Sequence, residues 1–432
     1  DGEASAPARA ADESWRPGLP LRFHPAKLIH PRQRATMMDL RLTPEEAAFR
    51  QEVRAFIREH LPADLRERMR LGHVARKQDI VDWQRILNRK GWAAYSWPRE
   101  HGGPGWTPIE RMIFLDENAL APAPDLSPFN ITMIGPVLIQ FGTEEQKKQF
   151  LSRAANLDDW WCQGFSEPGA GSDLAALKTT ARRYGDTYVV NGSKIWTSTA
   201  QHADWCFALV RTNPNAAKKQ EGISFLLIDM KAPGITVRPI ISIDNEHHLN
   251  EVFFDDVRVP VAMRVHEENR GWDVAKFLLG NERVGIAQLG KSKERVAAAT
   301  RLARQTRALD ASFRVRAAQL EVDMQALEIM QYRMVSAAAR QLDGRPDPLS
   351  SVLKVRGTEL LQATTELAMD AGGPLAMPLW ANELTALANT TDEPAETAEC
   401  ATREYLFLRA CTIYGGTNEI QKNILSKAVL RL

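Results

Sequence analysis

The chain has 432 residues, 44% of them hydrophobic and 25% charged, with a formal net charge of +1. That length is too great for one ordinary core, so two or three domains are expected. The near-neutral charge excludes an electrostatic case for nucleic acid or an anionic membrane surface, and the apolar runs fall far short of a membrane span.

Residues 1–36, rich in Pro, Ala and Arg with no apolar periodicity, read as a disordered leader. Asp1, Glu3, Asp12 and Glu13 argue against a mitochondrial transit remnant, so a bacterial cytoplasmic location is expected over a mitochondrial matrix one. Cys162, Cys206, Cys400 and Cys411 are widely scattered, which fits reduced thiols better than a disulfide frame.

The folded part starts near residue 38. In "TPEEAAFRQEVRAFIREHL" a Thr cap, acidic first-turn residues and apolar steps of three and four predict a capped amphipathic helix. "SWPREHGGPGW" breaks the pattern and "TEEQKKQFLSRAA" restarts it, giving a helical domain over 38–155. Over 156–265, "DTYVVNGSKIWTST" alternates around an Asn-Gly hairpin turn. "WCFALVRT", "GISFLLIDM", "ITVRPI" and "EVFFDDVRVP" follow at strand length, predicting an antiparallel β-barrel. Long amphipathic stretches over 266–432 predict a four-helix bundle, with a Pro-, Thr- and Asn-rich loop insertion between about Gly372 and Thr397. The fold class is α+β, with helical, β-barrel and helical-bundle domains in that order.

The densest chemistry lies in "WWCQGFSEPGAGSDLAALKTTA", residues 160–181. Gly169 and Gly171 let backbone N–H groups approach an anion, and Ser166 and Ser172 add hydroxyls. A barrel loop with two turn glycines is the plainer alternative. The spacing excludes a dinucleotide fingerprint and a P-loop. In "SKIWTST", strand alternation would place Trp196 and Ser198 on one face, a ring and a hydroxyl suited to a flat heterocycle, with a buried core Trp as the alternative.

"FSEPGAGSD", "NGSKIWTS", "EVFFDDVRVP" and "IYGGTNEIQ", in that order across an α–β–α layout, make residues 38–432 resemble the acyl-CoA dehydrogenase family of flavoenzymes. The resemblance implies FAD and α,β-dehydrogenation of an acyl-CoA thioester. By that resemblance Phe165 and Ser166 meet the flavin edge, and Gly171 and Ser172 flank cofactor and acyl-CoA. Trp196 lies against the isoalloxazine and Ser198 reaches its N5/O4 region. Arg304 and the Gly372-Gly373 pair complete a neighbouring subunit's site, with Met369 where the family usually has Gln. Thr417 and Glu419 serve the cofactor side, and Arg283 and Gly415 join Ser172 on the substrate side. Electron-transfer flavoprotein is the implied partner, and a homotetramer, dimer or heterotetramer the implied assembly.

In most short- and medium-chain members the catalytic Glu directly follows the Tyr of the C-terminal motif; here that position is Gly415. The family's second arrangement puts the base on the first helix of the bundle, which matches "NRGWDVAKFLLGNERVGIAQLG". Independently of the family, Glu282 lies four residues after Leu278, four before Ile286 and seven before Leu289, on the apolar stripe of a helix, while Arg283 turns about 100° away. A carboxylate on a buried stripe is costly unless paired or functional. Glu282 is therefore the expected catalytic base, a structural ion pair being its alternative. His247 and His248 have no third ligand at metal spacing, and no metal is expected. An oxygenase on the same fold, a non-catalytic subunit, and the catalytic half of a mixed assembly are the competing readings.

Overall fold

The computed structural model describes residues 41–282, 287–338, 348–377, 379 and 393–432. The leader predicted over 1–36, Arg283 and the side chain of Glu282 lie outside the described residues.

Six helices open the fold: α1 Pro44–His60, α2 Ala63–Leu71, α3 Lys77–Arg89, α4 Pro108–Leu120, α5 Gly135–Phe141 and α6 Glu144–Asn156. Three of them start on the same chemistry. Thr43, Thr107 and Thr143 accept from the amide three residues on, and Glu46, Glu110 and Gln146 reach back to the cap amide. Each exchange satisfies two N–H groups that a helix start would otherwise leave unpaired. Gln146 also donates to the carbonyls of Ala262 and Arg264, at 2.8 and 2.9 Å. One side chain thus caps α6 and fastens it to the end of the sheet.

The sheet comprises β1 Trp161–Gly164, β2 Thr180–Tyr184, β3 Thr187–Lys194, β4 Trp205–Arg211, β5 Ile223–Asp229, β6 Ile235–Ile240, β7 Leu249–Pro260 and β8 Arg264–Val265. Its order is β6-β7-β3-β2-β4-β5-β8, with β1 pairing β4 in parallel. The predicted barrel is not closed. β8 spans only two residues, and β6 carries Pro239, which lacks the N–H that a second neighbour would need. The strands are mostly antiparallel, β1 and β2 being parallel to β4.

The Asn-Gly pair is not a hairpin turn either. Asn191 and Gly192 lie within β3, where the register against β7 shifts. Asn191 exchanges two bonds of 2.9 Å with Asp256, and Gly192 (φ +143°) passes so close to Thr179 that a Cβ would sit 2.7 Å from its Cα. The pair forms a bulge, and the β2–β3 turn falls at Gly185 and Asp186.

The second helical block comprises α7 Gly271–Glu282, α8 Leu289–Gln305, α9 Ala311–Ala338, α10 Ser350–Gly372, α11 Glu393–Phe407 and α12 Asn418–Leu425. The loop insertion predicted up to Thr397 ends sooner, because α11 already contains Glu393–Thr397. Leu289, Val296, Phe313, Met324, Leu353, Leu360 and Leu367 form the bundle core. A separate core joins the N-terminal helices to the sheet and to α7, through Trp83, Phe114, Phe150, Trp161, Phe165, Phe207, Phe225, Val274 and Leu278. The four cysteines are buried free thiols.

Helices α4 and α8 meet at Gly290, where a Cβ would lie 2.9 Å from that of Ala119 and 3.2 Å from the Asp116 Cα. The close approach buries Asp116 near Lys293, Glu328, Arg50 and Glu117, and burial pushes its carboxyl up to about 6. A carboxyl raised on folding contributes stability that is full below its unfolded value and is lost as pH rises through its folded value. Asp116→Asn should therefore melt above the parent at roughly pH 7.5, with that advantage shrinking toward roughly pH 4.5. Thermal melts of both proteins at the two pH values check this, and an advantage independent of pH would contradict it.

Candidate active site

The two motif segments are joined through Lys194, the last residue of β3. Its ammonium is fully buried and donates to Glu167 Oε1 at 2.8 Å, the Leu209 carbonyl at 2.7 Å and the Phe165 carbonyl at 3.2 Å. Three donors meet three acceptors, so the charge has a full set of partners. Glu167 in turn accepts from the amides of Lys178 (2.6 Å) and Thr179 (2.9 Å). Burial would push the Glu167 carboxyl up, but the Lys194 charge and these N–H groups outweigh it and hold it below the ordinary carboxylate range. Burial pulls Lys194 down against the attraction of Glu167.

This ion pair sits directly under the predicted site. Glu167 and Ala170 exchange backbone bonds of 3.1 and 2.9 Å, closing the "EPGA" turn, and Ile195 N–H donates to the Ser166 carbonyl at 2.9 Å. Phe165, Ser166 and the start of the Trp196 segment are thereby held side by side. The Phe165 ring packs inward, edge-on to Phe207 and Phe225. Gly171 and Ser172 lie on the exposed part of the loop.

β3 ends before Trp196, so strand alternation does not set the face that Trp196 and Ser198 share. Trp196 has φ +59°, a left-handed conformation rare for a bulky residue. The residue is 57% exposed, which rules out the core-Trp alternative. Thr197 returns to the ladder by exchanging backbone bonds with Asn250 (2.9 and 3.1 Å), while Ser198 is half-buried in the following turn.

The remaining predicted residues fall into two groups on the bundle. Thr306 Oγ1 donates to the Ala371 carbonyl at 2.6 Å, bringing the end of α8, with exposed Arg304, to the end of α10, with Gly372 and Gly373. Met369 packs on the bundle core nearby. The second group is the C-terminal turn. Gly415 and Gly416 are both left-handed, at φ +65° and +81°. Thr417 caps α12 by accepting from Ile420 N at 3.3 Å. Exposed Glu419 lies in the first turn, its carboxyl held below the ordinary range by local backbone N–H and Thr417.

Asn418 and Gln421 fasten this turn to the start of α10. Lys354 and Thr358 donate to Asn418 Oδ1 (2.9 and 3.2 Å), Ser351 donates to Gln421 Oε1 (2.8 Å), and Gln421 Nε2 reaches the Gly415 and Gly416 carbonyls (3.4 and 3.3 Å). The two groups are therefore separated by most of α10, about 27 Å at 1.5 Å per residue.

His247 Nε2 pairs with Asn250 Oδ1 and His248 Nε2 with Asp244. Among the described residues no cluster of His, Cys, Asp and Glu could hold a metal. The Glu246–Arg403 ion pair and the His248–Phe407 ring contact (4.7 Å) set this loop on α11.

The donor set fits a flat heterocycle with an anionic tail. A Cβ on Gly169, Gly171 or Gly373 would meet nothing within 4 Å, so backbone is open to a ligand there. The Thr197 hydroxyl is buried without a partner, and the Trp196 ring offers a bare aromatic surface. Glu167, Lys194, Asn418 and Gln421 are the residues that sequence reasoning missed. Each lies inside a quoted motif, and a charged or amide residue between strand or helix signals was the available clue.

Comparison with known proteins gives three matches that tile the chain. The family models described as "Acyl-CoA dehydrogenase, N-terminal domain", "middle domain" and "C-terminal domain" match residues 43–158, 162–257 and 269–430. Acyl-CoA dehydrogenase IpdE1 of Mycobacterium tuberculosis is 36% identical over 89% of this chain and 97% of its own. A solved "Tcur3481-Tcur3483 steroid ACAD" superposes with a TM-score of 0.79 at 30% identity, covering 91% of this chain and 99% of that one. The ChsE4-ChsE5 complex from Mycobacterium tuberculosis gives 0.75 at 33%, with the same coverage.

Lys194→Met leaves the Glu167 carboxylate buried and unpaired, which should cost ~3–5 kcal/mol in urea unfolding. Adding Glu167→Gln to that variant should recover part of the loss, since no bare charge is left. Additive losses in the double variant would contradict the pairing.

Proposed function

The chain belongs to the acyl-CoA dehydrogenase family, and from that premise we propose that Glu282 takes the α-proton of an acyl-CoA thioester as it becomes the trans-2-enoyl-CoA. The enzyme is an oxidoreductase acting on CH–CH donors, and its cofactor is FAD. Bound FAD supplies the acceptor for the β-hydride.

In this reading Phe165, Ser166, Gly171, Ser172, Trp196 and Ser198 hold the flavin and the acyl-CoA at the sheet, with Thr417 and Glu419 on the cofactor side of the C-terminal turn. The observation that carries the reading is the Lys194–Glu167 pair, which keeps both motif segments together beneath the bare Trp196 ring. Arg304, Gly372 and Gly373 lie at the far end of α10 from Thr417, which supports their serving a neighbouring subunit. The domain limits 38–155, 156–265 and 266–432 belong to the same reading.

α7 ends at Glu282, and its Val274, Ala275 and Leu278 are buried in the core shared with Trp161 and Phe165. Helical periodicity puts position 282 on the same stripe as buried Leu278, and desolvation on such a stripe raises a carboxylate's basicity toward the operating pH. Gly415 contributes a backbone N–H able to polarise the thioester carbonyl, and Arg283 joins it on the substrate side. The reduced enzyme passes its electrons to an electron-transfer flavoprotein.

The names of two relatives support a reading of the acyl group and the assembly. One solved relative is named a steroid ACAD and another a complex of two different chains. We infer a bulky, ring-bearing acyl group and a heterotetramer in which this chain supplies the base.

Anaerobic mixing of the FAD-loaded enzyme with a panel of acyl-CoA thioesters should bleach the visible flavin band with at least one of them. Glu282→Gln should keep FAD but lose bleaching by about 10³-fold or more. A variant that reduces its flavin as fast as the parent would remove Glu282 from the role of base.

A further inference from the structure

Trp196 is held in a left-handed conformation that persists only where its surroundings over-determine it. The over-determination comes from one side chain on β7. Asn250 is fully buried. Its Nδ2 donates to the Thr197 carbonyl at 3.1 Å and to Gln201 Oε1 at 2.6 Å, and its Oδ1 pairs with His247 Nε2 at 2.8 Å. Its backbone exchanges two further bonds with Thr197. Gln201 Nε2 donates to the His247 carbonyl (2.9 Å) and Thr199 N–H to the His248 carbonyl (3.0 Å). The segment after Trp196 is thus laced to residues 247–250, and Asn250 is where the lacing converges.

We propose that Asn250 is a positioning residue: by fixing Thr197 it holds Trp196 left-handed and its indole outward for the flat cofactor. Only a primary amide meets all three demands, two donated bonds and one accepted, in so small a space. Aspartate would set an acceptor against two acceptors, and leucine would take away the side-chain partner of Gln201 Oε1 and of His247 Nε2 and the second donor to the Thr197 carbonyl. Gln201 and His247 border a cavity of about 360 Å³, lined also by Ala200, Ala203, Met230, Val237 and Pro239. Without Asn250 they have room to relax and be hydrated. The consequence of losing Asn250 is then a released Trp196 segment rather than an unfolded sheet.

The inference rests on the FAD reading of the Trp196 face, and two measurements separate the two. The first is FAD rebinding to apoprotein, followed by quenching of flavin fluorescence. Asn250→Leu should weaken it about tenfold, equivalent to ~1.4 kcal/mol. If the parent apoprotein itself takes up no FAD, the cofactor reading fails; if parent and variant bind alike, the positioning role fails. The second uses cofactor-free protein. In Trp196→Gly the left-handed strain is gone and its release offsets nothing, so adding Asn250→Leu should lower the melting temperature more than it does in the parent. An equal drop in both backgrounds overturns the proposal. Should Asn250→Leu fail to fold, Asn250→Ser enters the same cycle.

Discussion

A lysine ammonium with no exposure to water is the constraint on which the site depends. Burying Lys194 is costly, and the cost is offset only because Glu167 and two carbonyls surround it. The lysine and its partners come from three separate segments: the end of β3, the "FSEP" turn and the middle of β4. They must converge before the charge is satisfied, so the pair selects one arrangement of the segments flanking the site. The glycine loop and the Trp196 ring above it remain exposed on this fixed framework. They can therefore stay open to a ligand.

The C-terminal turn is held in a related way, by two amide side chains and a second buried lysine. Asn418 and Gln421 bind it to Ser351, Lys354 and Thr358 of α10. Within it Gly415 has φ +65°, a conformation that costs any side chain of ordinary chirality roughly 1–2 kcal/mol. A glutamate placed there would be strained. The backbone of this chain is thus matched to glycine at the position where many members of the family carry their base, in keeping with a base assigned to α7.

Helices, caps and strand positions were largely legible, because their signals are local. The Thr43 and Thr143 caps follow from residues three apart, and each quoted strand segment appears as a strand. What sequence could not supply was closure and context. Whether the sheet closes depends on a two-residue β8 and on Pro239 at its opposite edge, a relation between segments distant in the chain. Asn191-Gly192 has hairpin composition, yet its partners Asp256 and Thr179 make it a bulge. Trp196 and Ser198 were read by strand parity, which a single positive φ cancels. Lys194 and Glu167 lay in plain view, but a charged residue in a strand reads as solvent-facing until its partner is placed opposite. Four motifs in order were enough for the family.

The account's central claim is dehydrogenation of an acyl-CoA in this site, and its most direct test is the product formed without oxygen. FAD-loaded enzyme mixed anaerobically with a thioester that bleaches it should release one 2-enoyl-CoA, lighter by a hydrogen pair, for each flavin reduced, as read by mass spectrometry. Product that forms only when oxygen is admitted, and that carries an added oxygen atom, would contradict the account and assign the fold to oxygenase chemistry instead.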